Sequence, residues 1–277
     1  MIDVCATLFS LLSLVVFPIN NGIFAAYKYY KKGKPPYPSN EEERAHSIMR
    51  KRNVVLGCIL LAIGMAVTGC ASPSADGSIE VDGHRFVDLQ LPSGLLWAET
   101  NVGAETPTDY GLHFSWGETK AKADCSQATY RYGTAFEKMT RYNAADTLTT
   151  LLPEDDAATA AWGKAFRMPT SQEMEELGDT ANCVWTWVEK ASPKGDKVHG
   201  YEVKSKRNGR TLFLPASGTQ NGKNCFLDGS DAVYWSATLS PRSCGEAFCL
   251  YFNLGHYSLY MNDRSIGASV RPVMERK

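Results

Sequence analysis

The chain has 277 residues, with 29 Lys and Arg against 30 Asp and Glu and a formal net charge of −1. From residue 71 onward there are 21 basic and 26 acidic residues, a formal net charge of −5. This balance argues against nucleic-acid binding, because proteins that bind nucleic acids carry basic faces. The length allows one large core preceded by a leader.

An export signal with a lipidation site is predicted at residues 49–70. A basic start (MRKR, residues 49–52) precedes an apolar run at residues 54–67, and small residues lead into Cys70. The pattern resembles the bacterial lipobox, which implies that Cys70 is lipidated and becomes the first residue of the mature protein. Several acyl chains at about 0.8 kcal/mol per buried methylene make such an anchor effectively permanent. The expected location is the outer membrane, on its periplasmic or its cell-surface side.

Residues 1–48 are not expected to form a packed domain. The apolar stretch at residues 4–17 is shorter than the roughly 20 residues of a membrane-spanning helix, and Pro18 ends it. Two accounts are open: translation begins at Met49, or residues 1–48 add a membrane segment whose basic cluster stays cytoplasmic. In both, residues 71–78 form a flexible tether and residues 79–277 form the domain.

Six of the eight cysteines lie at or after the predicted lipidation site. With Cys70 lipidated, five remain, so at most two disulfides can form and at least one thiol is left over. No pair has the C-x-x-C spacing, which makes a zinc site improbable on sequence grounds.

The first predicted elements are short strands joined by tight turns. Asp82 and Gly83 separate residues 79–81 from residues 85–89, and Asn208 and Gly209 separate residues 201–205 from residues 211–214. Aromatic and β-branched residues predict the remaining strands, which are residues 233–236, 247–252, 258–261 and 269–273.

Two helices are predicted between these hairpins. The acidic residues 154–156 precede residues 157–162, where carboxylates suit the positive end of a helix better than a calcium site, because alternating oxygen ligands are missing. Thr170 and Glu173 form a capping box, after which Met174 and Leu177 are expected to face the core.

Ordered motifs along the domain resemble the Fibrobacter succinogenes major paralogous domain over nearly all of residues 86–273. The motifs that carry the resemblance are residues 87–89 (VDL), 91–97 (LPSGLLW), 101–103 (NVG), 116–118 (WGE), 152–158 (LPEDDAA), 162–163 (WG), 166–170 (FRMPT), 234–236 (YWS) and 269–273 (SVRPV).

That family is similar to the formylglycine-generating-enzyme branch of the C-type lectin fold. The resemblance implies an α+β, C-type-lectin-like architecture with twisted antiparallel strands, two helices and long loops. Hairpins with few βαβ units agree with an α+β class. Arg167 and Arg271, within the motifs, are expected to be buried and to stabilise the fold.

The last 45 residues alternate framework segments with segments of unpredictable sequence. This is similar to the variable region of proteins diversified by retroelements, which display changeable side chains on a C-type lectin fold; an ordinary family member with drifting loops is the alternative. A lipid-anchored protein that binds an unknown protein or glycan follows from the resemblance. The predicted ligand-binding residues are Thr238, Ser240, Arg242, Ser243, Glu246, His256, Tyr257, Tyr260, Asn262, Asp263 and Arg264.

Two other functions are weighed against binding. Cys244 and Cys249 have the spacing of the copper-binding pair of formylglycine-generating enzymes, which implies a copper-dependent oxidase. Residues five apart on a regular strand face opposite sides, however, so joint ligation requires a bulge or a bend. The other alternative is a structural envelope or pilus-associated module. The favoured interpretation is a protein without catalytic residues, metal or cofactor.

The anchor yields the first testable prediction. Cys70→Ser removes the thiol that receives the lipid, so the variant is expected to accumulate as uncleaved precursor. Phase partition with a detergent and the mass of the protein on a gel measure both effects. A Cys70→Ser chain that still appears processed and in the detergent phase contradicts the lipobox assignment.

Overall fold

The computed structural model of the protein describes residues 78–133, 135–136 and 138–276. All of the described residues belong to one compact unit of the chain. Residues 1–48, the predicted signal peptide with Cys70 and the tether up to residue 77 lie outside the described residues. Within the described ranges, no helix has the length and apolar character required to cross a membrane.

The described part of the chain is mostly β-sheet with two α-helices, α1 (Ala157–Trp162) and α2 (Ser171–Gly178), and a 3-10 helix at Pro153–Asp155. The α+β expectation is met in this coarse sense. The strands are β1 (Ile79–Val81), β2 (His84–Asp88), β3 (Leu96–Ala98), β4 (His113–Phe114), β5 (Cys183–Ala191), β6 (Lys197–Ser205), β7 (Thr211–Pro215), β8 (Thr219–Asn221), β9 (Asn224–Phe226), β10 (Asp231–Leu239), β11 (Glu246–Asn253), β12 (His256–Asp263), β13 (Ala268–Ser269) and β14 (Val273–Met274).

The strands form four sheets. The first sheet has the order β1-β2-β3-β14 and so joins the beginning of the domain to its end. The second has the order β12-β11-β10-β13-β4, the third β5-β6-β7, and β8 pairs with β9 alone. Every pairing is antiparallel except that of β10 with β13.

Both predicted tight turns are confirmed. Asp82 and Gly83 have φ values of 50° and 79°, the positive values that a two-residue hairpin turn requires, and β1 and β2 flank them. Between β6 and β7, Gly209 has a φ of 73°, and the Ser205 amide donates to the Arg210 carbonyl at 2.9 Å. Local turn chemistry therefore decides the register of these hairpins.

The capping predictions are confirmed as well. In α2 the Thr170 side chain accepts from the Glu173 amide, and the Glu173 side chain accepts from the Thr170 amide at 2.7 Å. In α1 the Asp156 carboxylate accepts from the Thr159 amide at 2.9 Å. These bonds satisfy amides that have no partner within the first turn of a helix.

Two expectations are corrected. The predicted strand at residues 269–273 is two short strands in different sheets, because Arg271 turns inward between them to donate to the Asn101 side chain at 2.8 Å and Pro272 has no N–H for a ladder. Arg167 is only half-buried, with its guanidinium held 2.8 Å from Glu173, whereas Arg271 is buried as expected.

Strands β10 and β11 of the second sheet are buried on both faces. On one face Tyr234, Leu250 and Phe252 pack in a cluster with Met174 and Leu177 of α2. On the other face a separate cluster contains Val233, Trp235, Ala247 and Cys249, and Trp116 packs among them. Because strand side chains alternate between the faces, almost every residue of β10 and β11 contributes to one core or the other.

Leu177→Asp tests how α2 is packed. Leu177 is fully buried against the second sheet, so an aspartate there places an unpaired carboxylate in an apolar environment and is expected to cost at least about 3 kcal/mol of unfolding free energy. Urea denaturation measures the cost. Glu175→Asp, on the exposed side of the same helix, is the control and is expected to unfold near the wild-type midpoint. Equal midpoints for the two variants contradict the packing.

Candidate functional site: an aromatic ridge on the second sheet

The predicted binding residues near the C-terminus lie on one regular hairpin. β11 and β12 pair without interruption from Asn253 opposite His256 to Glu246 opposite Asp263. Leu254 and Gly255 form the turn, where Gly255 has a φ of 87° that an L-residue rarely adopts. The hairpin is held on its other side by β10, so the side chains of β12 project from a fixed backbone.

Alternation along β12 separates the predicted residues. The Tyr257 ring stacks on Trp185 of the third sheet with ring centroids 4.3 Å apart and planes at 13°. Leu259 packs against the same core cluster as Trp185 and Tyr257. Tyr257 therefore contributes to packing, and its ring lies mostly away from any ligand that approaches the opposite face.

The even-numbered residues of β12 lie on that opposite face. We call His256, Ser258, Tyr260 and Asn262, together with Tyr251 of β11, the aromatic ridge. Tyr260 is 45% exposed, and the Tyr251 ring centroid lies 6.4 Å from those of both Tyr260 and His256. His256 Nε2 lies 3.2 Å from the Ser258 hydroxyl. Three rings and several hydrogen-bonding groups thus share one accessible band.

A hydrogen-bond network supports the base of the ridge. The Tyr251 hydroxyl donates to Asp231 Oδ2 at 2.9 Å and accepts from Asn253 Nδ2 at 2.9 Å. Burial raises the pKa of Asp231, and burial together with this carboxylate raises the pKa of Tyr251 to about 12. Tyr251 is therefore neutral at ordinary pH and keeps its hydroxyl proton as a donor to the carboxylate.

Sequence reasoning missed Tyr251, Asp231 and Asn253. Tyr251 lies between the core residues Leu250 and Phe252, within the predicted strand at residues 247–252. Strict alternation along the strand is the signal that identifies it, since neighbours of a buried residue face the other side of the sheet. Asp231 and Asn253 are a cross-strand pair, which only the register reveals.

A second group of predicted residues lies apart from the ridge. Thr238 Oγ1 accepts from the Ser171 amide at the start of α2. The Ser240 hydroxyl lies 3.4 Å from Glu246 Oε2 and 3.1 Å from the Met261 sulfur, and Ser240 is buried. These side chains belong to the face that α2 covers. They do not form one surface with Tyr260.

The remaining predicted positions shape turns. Ser240 Oγ accepts from the Arg242 amide and Ser243 Oγ from the Gly245 amide, both at 3.1 Å. Arg242 itself is exposed. Asp263 Oδ1 accepts from the Ser265 amide at 2.9 Å, so this carboxylate orders the end of β12.

Arg264 does not lie on an accessible surface, contrary to the expectation that it contacts a ligand. It is fully buried, and its guanidinium carbon lies 4.6 Å from the Trp116 ring centroid. Its Nε donates to the Tyr130 hydroxyl at 2.9 Å, and its Nη1 donates to the Cys244 carbonyl at 2.7 Å. A buried cation needs such partners, because an unpaired charge in an apolar interior is costly.

The surroundings of Arg264 form a box of aromatic rings. Trp116, Tyr130, Tyr132 and Tyr142 all lie within 5.8 Å of the guanidinium carbon. Nη1 and Nη2 also donate to the Arg141 carbonyl at 3.2 and 3.1 Å. Arg264 therefore joins the long loop that carries residues 130–142 to the start of β11 and to the end of β12.

The proposed copper ligands are poorly placed for that role. Cys249 is fully buried in the core, and burial raises the pKa of its thiol, which disfavours the thiolate that a metal binds. Cys244 precedes β11 and is half-buried. Within residues 78–133, 135–136 and 138–276, no group of three or more His, Cys, Asp or Glu residues is arranged to hold a metal ion.

Two surface cavities lie beside the turn between β6 and β7. One of about 260 Å³ is lined by Lys206 and Arg207 among others, and one of about 370 Å³ by Asn208 and Arg210 among others. No residue of the aromatic ridge lines either cavity. The ridge on the second sheet therefore lies apart from both cavities.

The chain was compared with models of protein families, with curated proteins and with solved structures. None of the three comparisons found a match.

Arg264→Lys is expected to lower the free energy of unfolding by about 3 kcal/mol. Lysine keeps the charge but lacks the planar fork that reaches several carbonyls at once, so buried acceptors lose their donors. Urea denaturation followed by tryptophan fluorescence measures the loss. Arg242→Lys, at an exposed turn, is the control, expected within about 0.5 kcal/mol of wild type. Unchanged stability of Arg264→Lys would show that the box does not require an arginine.

Proposed function

We propose that the protein is a lipid-anchored, extracytoplasmic ligand-binding protein whose binding surface is the aromatic ridge. The observation that carries the proposal is a band made of exposed Tyr260 and His256 with half-buried Ser258 and Asn262. It lies on a hairpin whose other face packs against a core. The signal sequence predicted at residues 49–70 and the lipidation site predicted at Cys70 support the location at a membrane.

The chemistry of the ridge suits recognition. Tyrosine offers a large contact area with few rotatable bonds, so little conformational entropy is lost when a ligand covers it. His256 and Asn262 add hydrogen-bonding groups on both sides of Tyr260. Because β11 fixes the backbone along the whole of β12, the surface is ordered before a ligand arrives, which lowers the cost of binding.

The shape of the ridge favours a macromolecular ligand. Small molecules are bound in concave sites that bury most of their surface, whereas the ridge follows one strand across an open sheet. The four β12 residues of the ridge carry no carboxylate or lysine, so an electrostatic attraction to a highly charged polymer has no basis there. A protein surface is the ligand we favour, and a glycan is the alternative.

The proposal includes a C-type-lectin-like fold with a diversified region, which the motif resemblance implies. The aromatic framework positions, such as Tyr234, Trp235 and Phe252, are buried in the two cores. None of the ridge positions on β12 is fully buried, so we expect their side chains to change more readily than those of the cores. A sequence that varies at His256, Ser258, Tyr260 and Asn262 fits this arrangement.

The proposal predicts that a triple variant, His256→Ala, Tyr260→Ala and Asn262→Ala, loses its ligand while the fold survives. The probe is a display library of bacterial envelope-protein domains, selected on the wild-type chain. Clones so obtained are expected to bind the triple variant at least about tenfold more weakly, a loss of about 1.4 kcal/mol. Its thermal unfolding midpoint is expected to match that of wild type.

The control variant changes three exposed cationic side chains outside the ridge, Lys204→Ala, Arg207→Ala and Lys223→Ala. Selected clones are expected to bind it as they bind the wild type. A synthetic glycan array, read with the same three proteins, tests the alternative ligand class. If neither probe yields a ligand that distinguishes the triple variant from the control, the ridge is not the binding surface.

A further inference from the structure

The strand β12 is an edge that none of the other described strands covers. It is the terminal strand of the second sheet, and its eight residues pair only with β11. From His256 to Asn262 it contains no proline, no bulge and no Lys, Arg, Asp or Glu. An uncharged, regular edge of this length is a template for pairing with a further strand.

The register shows which backbone groups are available. Asn253 and His256 close a two-residue turn, so the even-numbered residues of β12 exchange hydrogen bonds with β11. Two hydrogen bonds agree with this assignment. The amide of Arg264, an even-numbered residue, donates to the Gly245 carbonyl of the β11 side. The Phe248 carbonyl, in contrast, points toward β10 and accepts from the Ser236 hydroxyl.

The odd-numbered residues therefore direct their N–H and C=O groups away from the sheet. The outward groups of Asp263 already have partners: its amide donates to the Asn262 side-chain oxygen, and its carbonyl accepts from the Ile266 amide. The outward groups of Tyr257, Leu259 and Met261 remain, spaced as an antiparallel partner requires. β5, another long edge strand, carries Glu189 and Lys190, charges of the kind that discourage such pairing.

We propose that this edge pairs with the same edge of a second copy of the chain. A two-fold axis perpendicular to the sheet, passing beside Leu259, sets Leu259 opposite Leu259 of the second copy and Tyr257 opposite its Met261. The three facing pairs exchange six backbone hydrogen bonds, and β12 becomes an interior strand of a ten-stranded sheet.

The side chains favour this partner on both faces. On the face that packs against the third sheet, the two-fold brings together Leu259, Tyr257 and Met261, which are all apolar or aromatic. On the ridge face it sets Ser258 opposite Tyr260 and His256 opposite Asn262, which are all polar or amphipathic. No two like charges are opposed, a situation that would destabilise cross-strand pairing.

The pairing would join two aromatic ridges into one band. Ser258 and Tyr260 of each copy then lie beside those of the other across the axis, and a ligand meets a surface of twice the width. Anchoring on a membrane raises the local concentration of copies, so a modest interface suffices. The pairing follows from strand geometry alone and stands even if the ridge binds nothing.

Crosslinking of the full-length chain in membranes tests the pairing. Leu259→Cys, in a Cys225→Ser background that removes an exposed thiol, is treated with a short bis-maleimide. Opposite residues of a hydrogen-bonded pair are about 5.5 Å apart at Cα, so most of the chain is expected at twice the monomer mass. Leu254→Cys is the matched control: it is 72% exposed but would lie about 30 Å from its counterpart, at roughly 3.3 Å per residue.

A second pair of variants tests the register by placing charges at residues 258 and 260, with the Leu259→Cys crosslink as the readout. Ser258→Lys with Tyr260→Lys, and Ser258→Asp with Tyr260→Asp, each oppose like charges across the axis. Either variant alone is expected to lose the Leu259→Cys crosslink, and co-expression of the two is expected to restore it. Equal crosslinking of Leu259→Cys and Leu254→Cys, monomer only for both, or no restoration on mixing would overturn the proposal.

Discussion

Burial of β10 and β11 on both faces is the constraint on which the rest of the domain depends. Side chains of one parity pack with α2 and the third sheet, and those of the other parity pack with the loop that contains Trp116. A one-residue slip of either strand would exchange the two sets and place Trp235 where Tyr234 or Ser236 now packs. Because β11 is buried on both faces, its register is fixed. The pairing of β12 with β11 then fixes the positions of the ridge side chains.

Arg264 shows how the loop-rich half of the domain is held without regular secondary structure. Its guanidinium supplies donors to carbonyls from two distant segments and lies among four aromatic rings. Because the buried cation has lost its water, the fold is stable only if these partners are present. The same residue type at the surface would suggest a ligand contact. Burial, which sequence does not display, decides between the two roles.

Local signals predicted the local structure well. The Asp-Gly and Asn-Gly turns, the capping box at Thr170 and the acidic start of α1 depend on chemistry within a few residues, and all are present. The faces of β12 depend instead on what packs against each side. Tyr257 and Tyr260 are the same residue type three positions apart, yet one stacks on Trp185 and the other is exposed. That difference arises from the third sheet, which no short sequence pattern encodes.

The order of the first sheet has a mechanical consequence. β1 opens the domain at an edge of that sheet, paired through three residues to β2, while β14 ends the chain on the opposite edge. In the lipid-anchored binding protein that we propose, a pull between the anchor and a ligand on the second sheet would enter the domain through β1. The three residue pairs that join β1 to β2 would open first, one pair at a time, while β2 and the second sheet stayed packed in their cores. Under such a load, β1 would detach before the ridge of the proposed binding protein released its ligand.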